Sequence, residues 1–301
     1  MCGRNFVVAV TELAPGDRLT KHQLPDEYVL LVQDDAVVEA EHGSRAPASV
    51  TEPALVVVPA GTSTVRAASA TTVARVFMAR CDEQMKQAVN HGATADLRAA
   101  PLPETTESGQ DVIRIHRLRD VPDGEGRLGR IFRTASLMVN RFPVHEGPRD
   151  TERLSPHSHQ DFEQMSVTLP GRYAHHLRAP WTPRMSEWRD DAHVQVNSPS
   201  MTLIPPAVVH TIRAVGAGPH TLIDVFAPPR EDFHPDLSAF RGSSRRRNPG
   251  PELPRNGHAD EFTALQDPTG TCTLWFCVSD PGPGPSRWAQ VLLGPQFDGS
   301  A

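Results

Sequence analysis

Three things are scarce in this 301-residue chain, and each scarcity removes a class of explanation. Cysteine is the first. Cys2, Cys81, Cys272 and Cys277 are too few and too scattered for a disulfide framework and show no Cys-x-x-Cys spacing, so they are expected to be reduced thiols. No cysteine is marked as a nucleophile, because an activating environment is not a property of sequence. Long apolar runs are the second: none approaches the length of a membrane span, and the amino terminus lacks a basic segment followed by a hydrophobic stretch and cleavage site. No membrane association and a cytoplasmic location are the expectation. Clustered positive charge is the third. The formal net charge is −6, and the one basic cluster, Arg245-Arg246-Arg247, sits among Gly, Ser and Pro and reads as a solvated loop. Nucleic acid is therefore not expected as a partner, since phosphate binding needs clustered Lys and Arg.

What is abundant is punctuation. Twenty-nine prolines and twenty-one glycines disfavour long helices and suit short strands joined by turns, so the fold class expected is all-β. An apolar fraction of 38% is low but sufficient for globular cores, and the length allows two domains. Histidine is also plentiful, with fourteen residues. Ser155-Pro156-His157-Ser158-His159-Gln160-Asp161-Phe162-Glu163-Gln164 is answered by Ile204-Pro205-Pro206-Ala207-Val208-Val209-His210. Two histidines one residue apart on a strand share a face, so both can reach one ion, and a third can close the set. Imidazole suits zinc, copper, iron and nickel, and an adjacent oxygen ligand adds manganese. With fourteen histidines, His-x-His alone arises readily by chance; its coupling to the second segment carries the reading.

These two segments resemble the paired motifs of the cupin superfamily, small jelly-roll β-barrels with a metal inside. The first family motif is His-x-His, three or four residues, Glu or Gln, then six residues to Gly; the second is Pro-x-Gly-x-x-His. His157, His159 and His210 match. Counting forward from His159 with the three-residue gap gives Glu163, whereas counting back from Gly171 gives Gln164 with the four-residue gap. Gln164 satisfies both halves and is preferred, with Glu163 as the alternative. A Gln there is similar to the ligand set of cupins that open unsaturated uronate rings. The resemblance implies one divalent metal ion, Fe, Mn, Ni or Zn. Ala207 stands where the family has Gly.

The amino-terminal half resembles a second, degenerate cupin. Its strand-like runs are Phe6 to Val10, Tyr28 to Gln33, Ala36 to Glu41, Ala54 to Val58 and Thr72 to Met78, and Val58-Pro59-Ala60-Gly61-Thr62-Ser63-Thr64 is similar to the second motif. Leu24 and Thr64 take two histidine places, leaving His22 and Glu27 too few to hold an ion. The expected architecture is a bicupin with a short linking helix. Residues 1–80 form a barrel without a metal site and 81–110 a linker in which Arg80 to Ala99 carries the helix. Residues 111–240 form the metal-binding barrel, entered by strands at Val112 to Arg117 and Arg130 to Arg141. Residues 241–301 form a Pro- and Gly-rich tail. Its two late strands, Thr271 to Val278 and Arg287 to Leu293, are expected to pair with an existing sheet edge.

Beyond the motifs, Asp224 and Phe226 share a strand face that can point into the barrel, with Arg230 just past the strand end. Asp224 could move a proton and Arg230 bind a carboxylate bidentately. The Asp-x-Phe-x-Pro-x-Arg run is similar to that of uronate-ring-opening cupins; the structural alternative is a rim anchor and a salt bridge. An insertion carrying His175, His176, Trp181, Trp188 and His193 reads either as a recognition loop or as hydrogen-bonded surface histidines with Trp181 and Trp188 packing the barrel mouth. Adjacent His175 and His176 face opposite sides, so one can enter the pocket, and His176 is the acid/base candidate; Tyr173 and Arg178 are weaker ones. The function expected is a metal-dependent isomerase or lyase acting on a small oxygenated, carboxylate-bearing metabolite. Alternatives are an Fe(II)-dependent dioxygenase and a non-enzymatic metabolite-binding bicupin. A homodimer is compatible with all three.

Overall fold

The computed structural model describes residues 1–33, 36–93, 98–102, 111–121, 129–134 and 136–229, and the backbone of three later strands. Contacts divide the chain into a unit Met1–Pro235 and a unit Asp236–Ala301. The first unit holds two barrels.

The first barrel is built from β1 (Phe6–Leu13), β2 (Arg18–Leu24), β3 (Tyr28–Val32), β4 (Val38–His42), β5 (Ala48–Val50), β6 (Ala54–Val58), β7 (Gly61–Ala67) and β8 (Thr71–Met78). A short helix α1 (Asp82–Gln87) follows, much briefer than the Arg80 to Ala99 stretch that the helix formers indicated, and then β9 (Arg114–Arg117). One five-stranded sheet runs β1-β8-β3-β6-β9 and faces a four-stranded sheet β2-β7-β4-β5. Its place in the sequence predicts that β9 enters the second barrel. It pairs with β6 instead, Ala54 opposite Arg117, and extends the first barrel's sheet.

The second barrel contains β10 (Arg130–Arg133), β11 (Met138–Arg141), β12 (His145–Glu146), β13 (Glu163–Thr168), β14 (Arg172–Arg178), β15 (Ala192–Asn197), β16 (Ser200–Ile204), β17 (Val209–Ala214), β18 (Pro219–His220) and β19 (Leu222–Ala227). Its sheets run β10-β11-β19-β13-β16, β15-β14-β17 and β12-β18. Arg130 to Arg141, read as one strand, is the antiparallel hairpin β10–β11. The insertion is a second hairpin, β14 against β15.

Why β3 and β6 read as unbroken apolar runs, Tyr-Val-Leu-Leu-Val and Ala-Leu-Val-Val-Val, is plain from their burial: every residue of both is buried. A strand covered on two faces loses the polar alternation of a half-exposed one. The inward face, with Tyr28, Leu30, Val32, Val56 and Val58, fills the first barrel. The outward face, with Val29, Leu31, Leu55 and Val57, packs against Met165, Val167, Ile223 and Val225 of the second barrel in one continuous core. Full burial of a side chain such as Leu31 contributes about 1.5–3 kcal/mol, so the junction joins the barrels as firmly as a domain core. β13 is buried throughout as well, yet its alternation is different: Met165 and Val167 face the junction, whereas Gln164, Ser166 and Thr168 are polar. The second barrel therefore has a polar wall inside an apolar shell.

In the second unit, β20 (Phe262–Gln266), β21 (Cys272–Ser279) and β22 (Arg287–Gln290) form a three-stranded antiparallel sheet of their own, order β20-β21-β22. The edge pairing expected for the two late strands is replaced by this sheet, in which Phe262–Gln266 supplies the partner. Cys2 and Cys81 are buried free thiols. No helix among the described residues is long and apolar enough to cross a membrane.

Candidate metal centre

The two motifs are joined backbone to backbone. His157 and His210 form an isolated antiparallel bridge, with N–H donated to carbonyl at 3.0 Å one way and 2.8 Å the other, and the Ala207 N–H donates to the His159 carbonyl. Ala207 holds this turn at φ 64°, the left-handed conformation that a glycine would adopt with less strain. The departure from the family pattern leaves the turn itself intact.

As a result the candidate ligand nitrogens of His157, His159 and His210 lie within 4.8 Å of one another, and burial grades from exposed His157 to buried His210. Phe162 stacks on His159 at 4.3 Å and Phe226 meets both rings edge-on, which holds the His159 imidazole between two aromatic rings. Two tautomers are set by the backbone. His157 Nδ1 lies 2.9 Å from the Ser155 carbonyl and His210 Nδ1 lies 2.9 Å from the Val208 carbonyl. A carbonyl only accepts, so each Nδ1 carries the proton and each neutral ring presents its lone pair at Nε2. Burial also holds the His210 pKa below the usual histidine value, favouring the neutral ring.

Gln164 points at the same place, its Oε1 being 3.1 Å from His159 Nε2 and 3.2 Å from His210 Nε2. The amide is oriented from behind: its Nε2 donates to Ser166 Oγ at 3.1 Å, and the Ser166 hydroxyl donates to Asp224 Oδ1 at 2.6 Å. Glu163 lies on the opposite face, where its Oε2 accepts the Arg4 N–H. A Cβ at Gly3 would come within 2.6 Å of that carboxylate, so the glycine makes room for it. Of the two oxygen candidates, Gln164 is the one brought to the imidazoles. His210 Nε2 and Gln164 Oε1 thus face each other as two acceptors with no proton of their own between them. Such convergence is unfavourable until a cation sits there. Three imidazoles and an amide oxygen fit a divalent transition ion, with the carbonyl and Ser166 contacts orienting the ligands.

A cavity of about 590 Å³ opens from these ligands, with Asp224, Phe226 and Tyr173 on its walls. Asp224 and Phe226 share the inward face as expected. Burial pushes the Asp224 carboxyl up to about 7, against the Ser166 and Gln164 hydrogen bonds that lower it. Arg230 lies outside the described residues. His176 requires correction. On β14, Tyr173 pairs with Ala214 and His175 with Ile212, all on the inward phase, so His175 turns inward and His176 outward. His176 Nδ1 lies 2.8 Å from His193 Nδ1, and its Nε2 accepts from Arg213, away from the cavity. His175 is 1% exposed, with Nε2 3.2 Å from Thr202 Oγ1, and burial lowers its pKa to about 4. Trp181 and Trp188 stack on each other at 4.6 Å beyond the β14–β15 ladder and do not line the cavity. Arg178 is paired with Asp191. Sequence reasoning missed Arg149, which lines the cavity ahead of the first motif.

Among the described residues, the matching places of the first barrel hold other contacts. Thr64 meets Thr20 hydroxyl to hydroxyl at 3.1 Å, His22 is exposed, and Glu27 is paired with Arg114 at 2.9 Å.

No family model matches the sequence, and no curated protein does either. Solved structures do. One is an oxalate decarboxylase from work on proton-coupled electron transfer, with TM-score 0.50, 13% identity, and 74% of this chain and 69% of that chain covered. Another is Lactobacillus farciminis oxalate decarboxylase in a formate complex, with TM-score 0.47, 11% identity and coverage of 76% and 78%. A Cupin 2 conserved barrel domain protein from Leptotrichia buccalis has TM-score 0.42, 8% identity and coverage of 75% and 86%. Likeness at such identities speaks for fold alone. The match at TM-score 0.50 shows that this chain shares the two-barrel fold of that structure.

Proposed function

We propose that the second barrel is a metal-dependent enzyme centre for a small oxygenated, carboxylate-bearing metabolite. The observation that carries this reading is the convergence of His157, His159 and His210, with ligand nitrogens within 4.8 Å, on the Gln164 amide oxygen. His157, His159, His210 and Gln164 would hold one ion of Fe, Mn, Ni or Zn. When bound, that ion supplies Lewis acidity towards a substrate carbonyl or hydroxyl oxygen. All four ligands are neutral, so they leave its charge undiminished.

Around this centre the chain's residues have distinct tasks. Asp224, which lines the cavity with the ligand set, would take a proton from the substrate and return it, the requirement of isomerase or lyase chemistry. Ser166 keeps both Asp224 and Gln164 in register. Phe162 and Phe226 exclude water from one side of the His159 ring. A second reading, an Fe(II)-dependent dioxygenase, is favoured by the apolar walls of the cavity, which include Ile131, Met138 and Leu222.

Metal analysis of purified protein, followed by turnover assays on carboxylate substrates with and without dioxygen, separates these readings. Oxygen-independent turnover that requires the ion supports the isomerase or lyase. Turnover that consumes dioxygen only after Fe(II) loading supports the oxygenase. Absence of bound metal before and after supplementation contradicts both.

A further inference from the structure

The cavity is a poor host for a polyhydroxylated sugar acid. Away from the ligand set its wall is largely aliphatic and aromatic, with Ile131, Met138, Phe142, Ile212, Leu222 and Phe226 in contact with the space. Each sugar hydroxyl taken from water into such surroundings needs a hydrogen-bond partner, and a hydroxyl left without one opposes binding. An apolar body gains from the same wall. At about 590 Å³ the space falls within the range of about 300–1,000 Å³ typical of small-molecule pockets.

Polar side chains, Asn140, His145, Ser155, Thr211 and Asp224, interrupt this apolar lining, and one further side chain there carries a permanent positive charge. Arg149 is the only Arg or Lys on the cavity wall among the described residues. Its guanidinium is held by neutral acceptors: Nη1 donates to the Ile212 carbonyl at 2.9 Å, and Nη2 donates to the Arg153 carbonyl at 3.1 Å and to Ser155 Oγ at 3.2 Å. None of these cancels its charge, and no carboxylate among the described residues forms an ion pair with it. It is also tied to the centre. Ser155, which Arg149 contacts through the hydroxyl, accepts the His157 Nδ1 proton through its carbonyl. These contacts take both Nη2 protons and one Nη1 proton, which leaves the Nε–H and the second Nη1–H of a positively charged group, fixed on three points beside the most exposed of the imidazoles, to donate a charge-assisted hydrogen bond to an anion.

We infer that the substrate is an amphipathic carboxylate: an alkyl or aryl body in the apolar cavity, a carboxylate on Arg149, and a reacting oxygen directed to the three histidines. Arg149 is thereby the specificity-determining residue, in the role that sequence assigned to Arg230. This inference rests on the reading of the second barrel as a metal centre, but the Arg149 contact itself does not require the ion.

Calorimetric titration tests it with three probes: 4-phenylbutanoate, its neutral analogue 4-phenylbutan-1-ol, and galacturonate. Each is titrated into the metal-loaded and the chelator-treated full chain, wild type and the variants Arg149→Gln and Arg149→Lys. The expected result in both metal states is that wild type binds phenylbutanoate at least tenfold more tightly than the alcohol or galacturonate. Arg149→Gln removes that preference while leaving alcohol binding within twofold. If Arg149→Gln disturbs alcohol binding as well, Arg149→Lys decides: a retained carboxylate preference supports the inference and a lost one contradicts it. Galacturonate binding as tightly as phenylbutanoate, an unchanged preference in Arg149→Gln, or no binding of phenylbutanoate to wild type overturns it. A preference that persists in a chain unable to take up metal leaves Arg149 as the anion receptor and overturns the metal reading alone.

Discussion

The two barrels share one ladder and differ in what it carries. Ile204 and Val58 each immediately precede the proline of a second motif; Ile204 pairs with Gln164, and Val58 pairs with Tyr28. The same register places Leu30 where the second barrel has Ser166, and Arg75, opposite Leu30, where it has Asp224, opposite Ser166. In the first barrel the Tyr28 ring packs 5.0 Å from Phe77, its hydroxyl meets Ser63 Oγ at 3.2 Å, and the interior is closed by aliphatic side chains. In the second, polar Gln164, Ser166 and Asp224 stand at those places and face a cavity. Backbone pairing is indifferent to this exchange, because ladder hydrogen bonds use main-chain groups. The interior side chains decide whether a barrel is a packed core or a site. The first barrel buries apolar surface on both faces of its larger sheet, whereas the second does so mainly on the face turned to its neighbour. Packed apolar interior and cavity-facing polar groups are accordingly divided between the halves.

Substitutions at matched positions should break this pairing most visibly at the metal. His210→Ala should weaken zinc or manganese binding by more than about 100-fold, since loss of an outer partner of a ligand alone costs about 10–100-fold. Thr64→Ala, at the matching place, should leave the titration unchanged. Next comes packing. Leu30→Ala should cost about 2–5 kcal/mol in urea unfolding, as a fully buried leucine in a filled core, without altering metal affinity. Ser166→Ala, at the equivalent position, should cost about 1–3 kcal/mol by leaving buried partners unmatched, and should weaken metal binding as well, because it releases the Gln164 amide.

A smaller effect sharpens the assignment within one strand. Gln164→Ala should lower metal affinity about tenfold, within the range seen when ligand environments are perturbed, and Glu163→Ala should leave it within twofold. The smallest concerns the two turns, where Gly61 and Ala207 occupy the same place at φ 111° and 64°. Ala207→Gly should stabilise the chain by about 0.5–1 kcal/mol in urea, the left-handed strain relieved less the chain entropy that glycine adds.

Much of this was legible in sequence, for reasons that can be named. Proline and glycine density pointed to an all-β chain, and the spacing of His157, His159 and His210 with Gly171 singled out Gln164. Leu24 and Thr64, at two histidine places of the first barrel, were equally readable in the sequence. Alternation shows that one of His175 and His176 turns inward, but the phase depends on pairing with β17, which no local pattern reveals. For the same reason Glu27 stood out as a leftover acid, although register puts Tyr28, not Glu27, at the Gln164 place. Sequence proximity points β9 towards the second barrel, while the vacant edge of β6 takes it. Arg149 carried no motif at all. Its significance comes from the Ile212 and Arg153 carbonyls and Ser155, which meet only in the folded chain.

The central claim is that the second barrel, and not the first, holds a metal. Its most direct test is the metal content per chain of wild type and His157→Ala, each saturated with one divalent ion and then freed of excess by gel filtration. The account predicts one ion per chain in wild type and none in the variant. Two ions per chain, none in wild type, or one retained by the variant would contradict it.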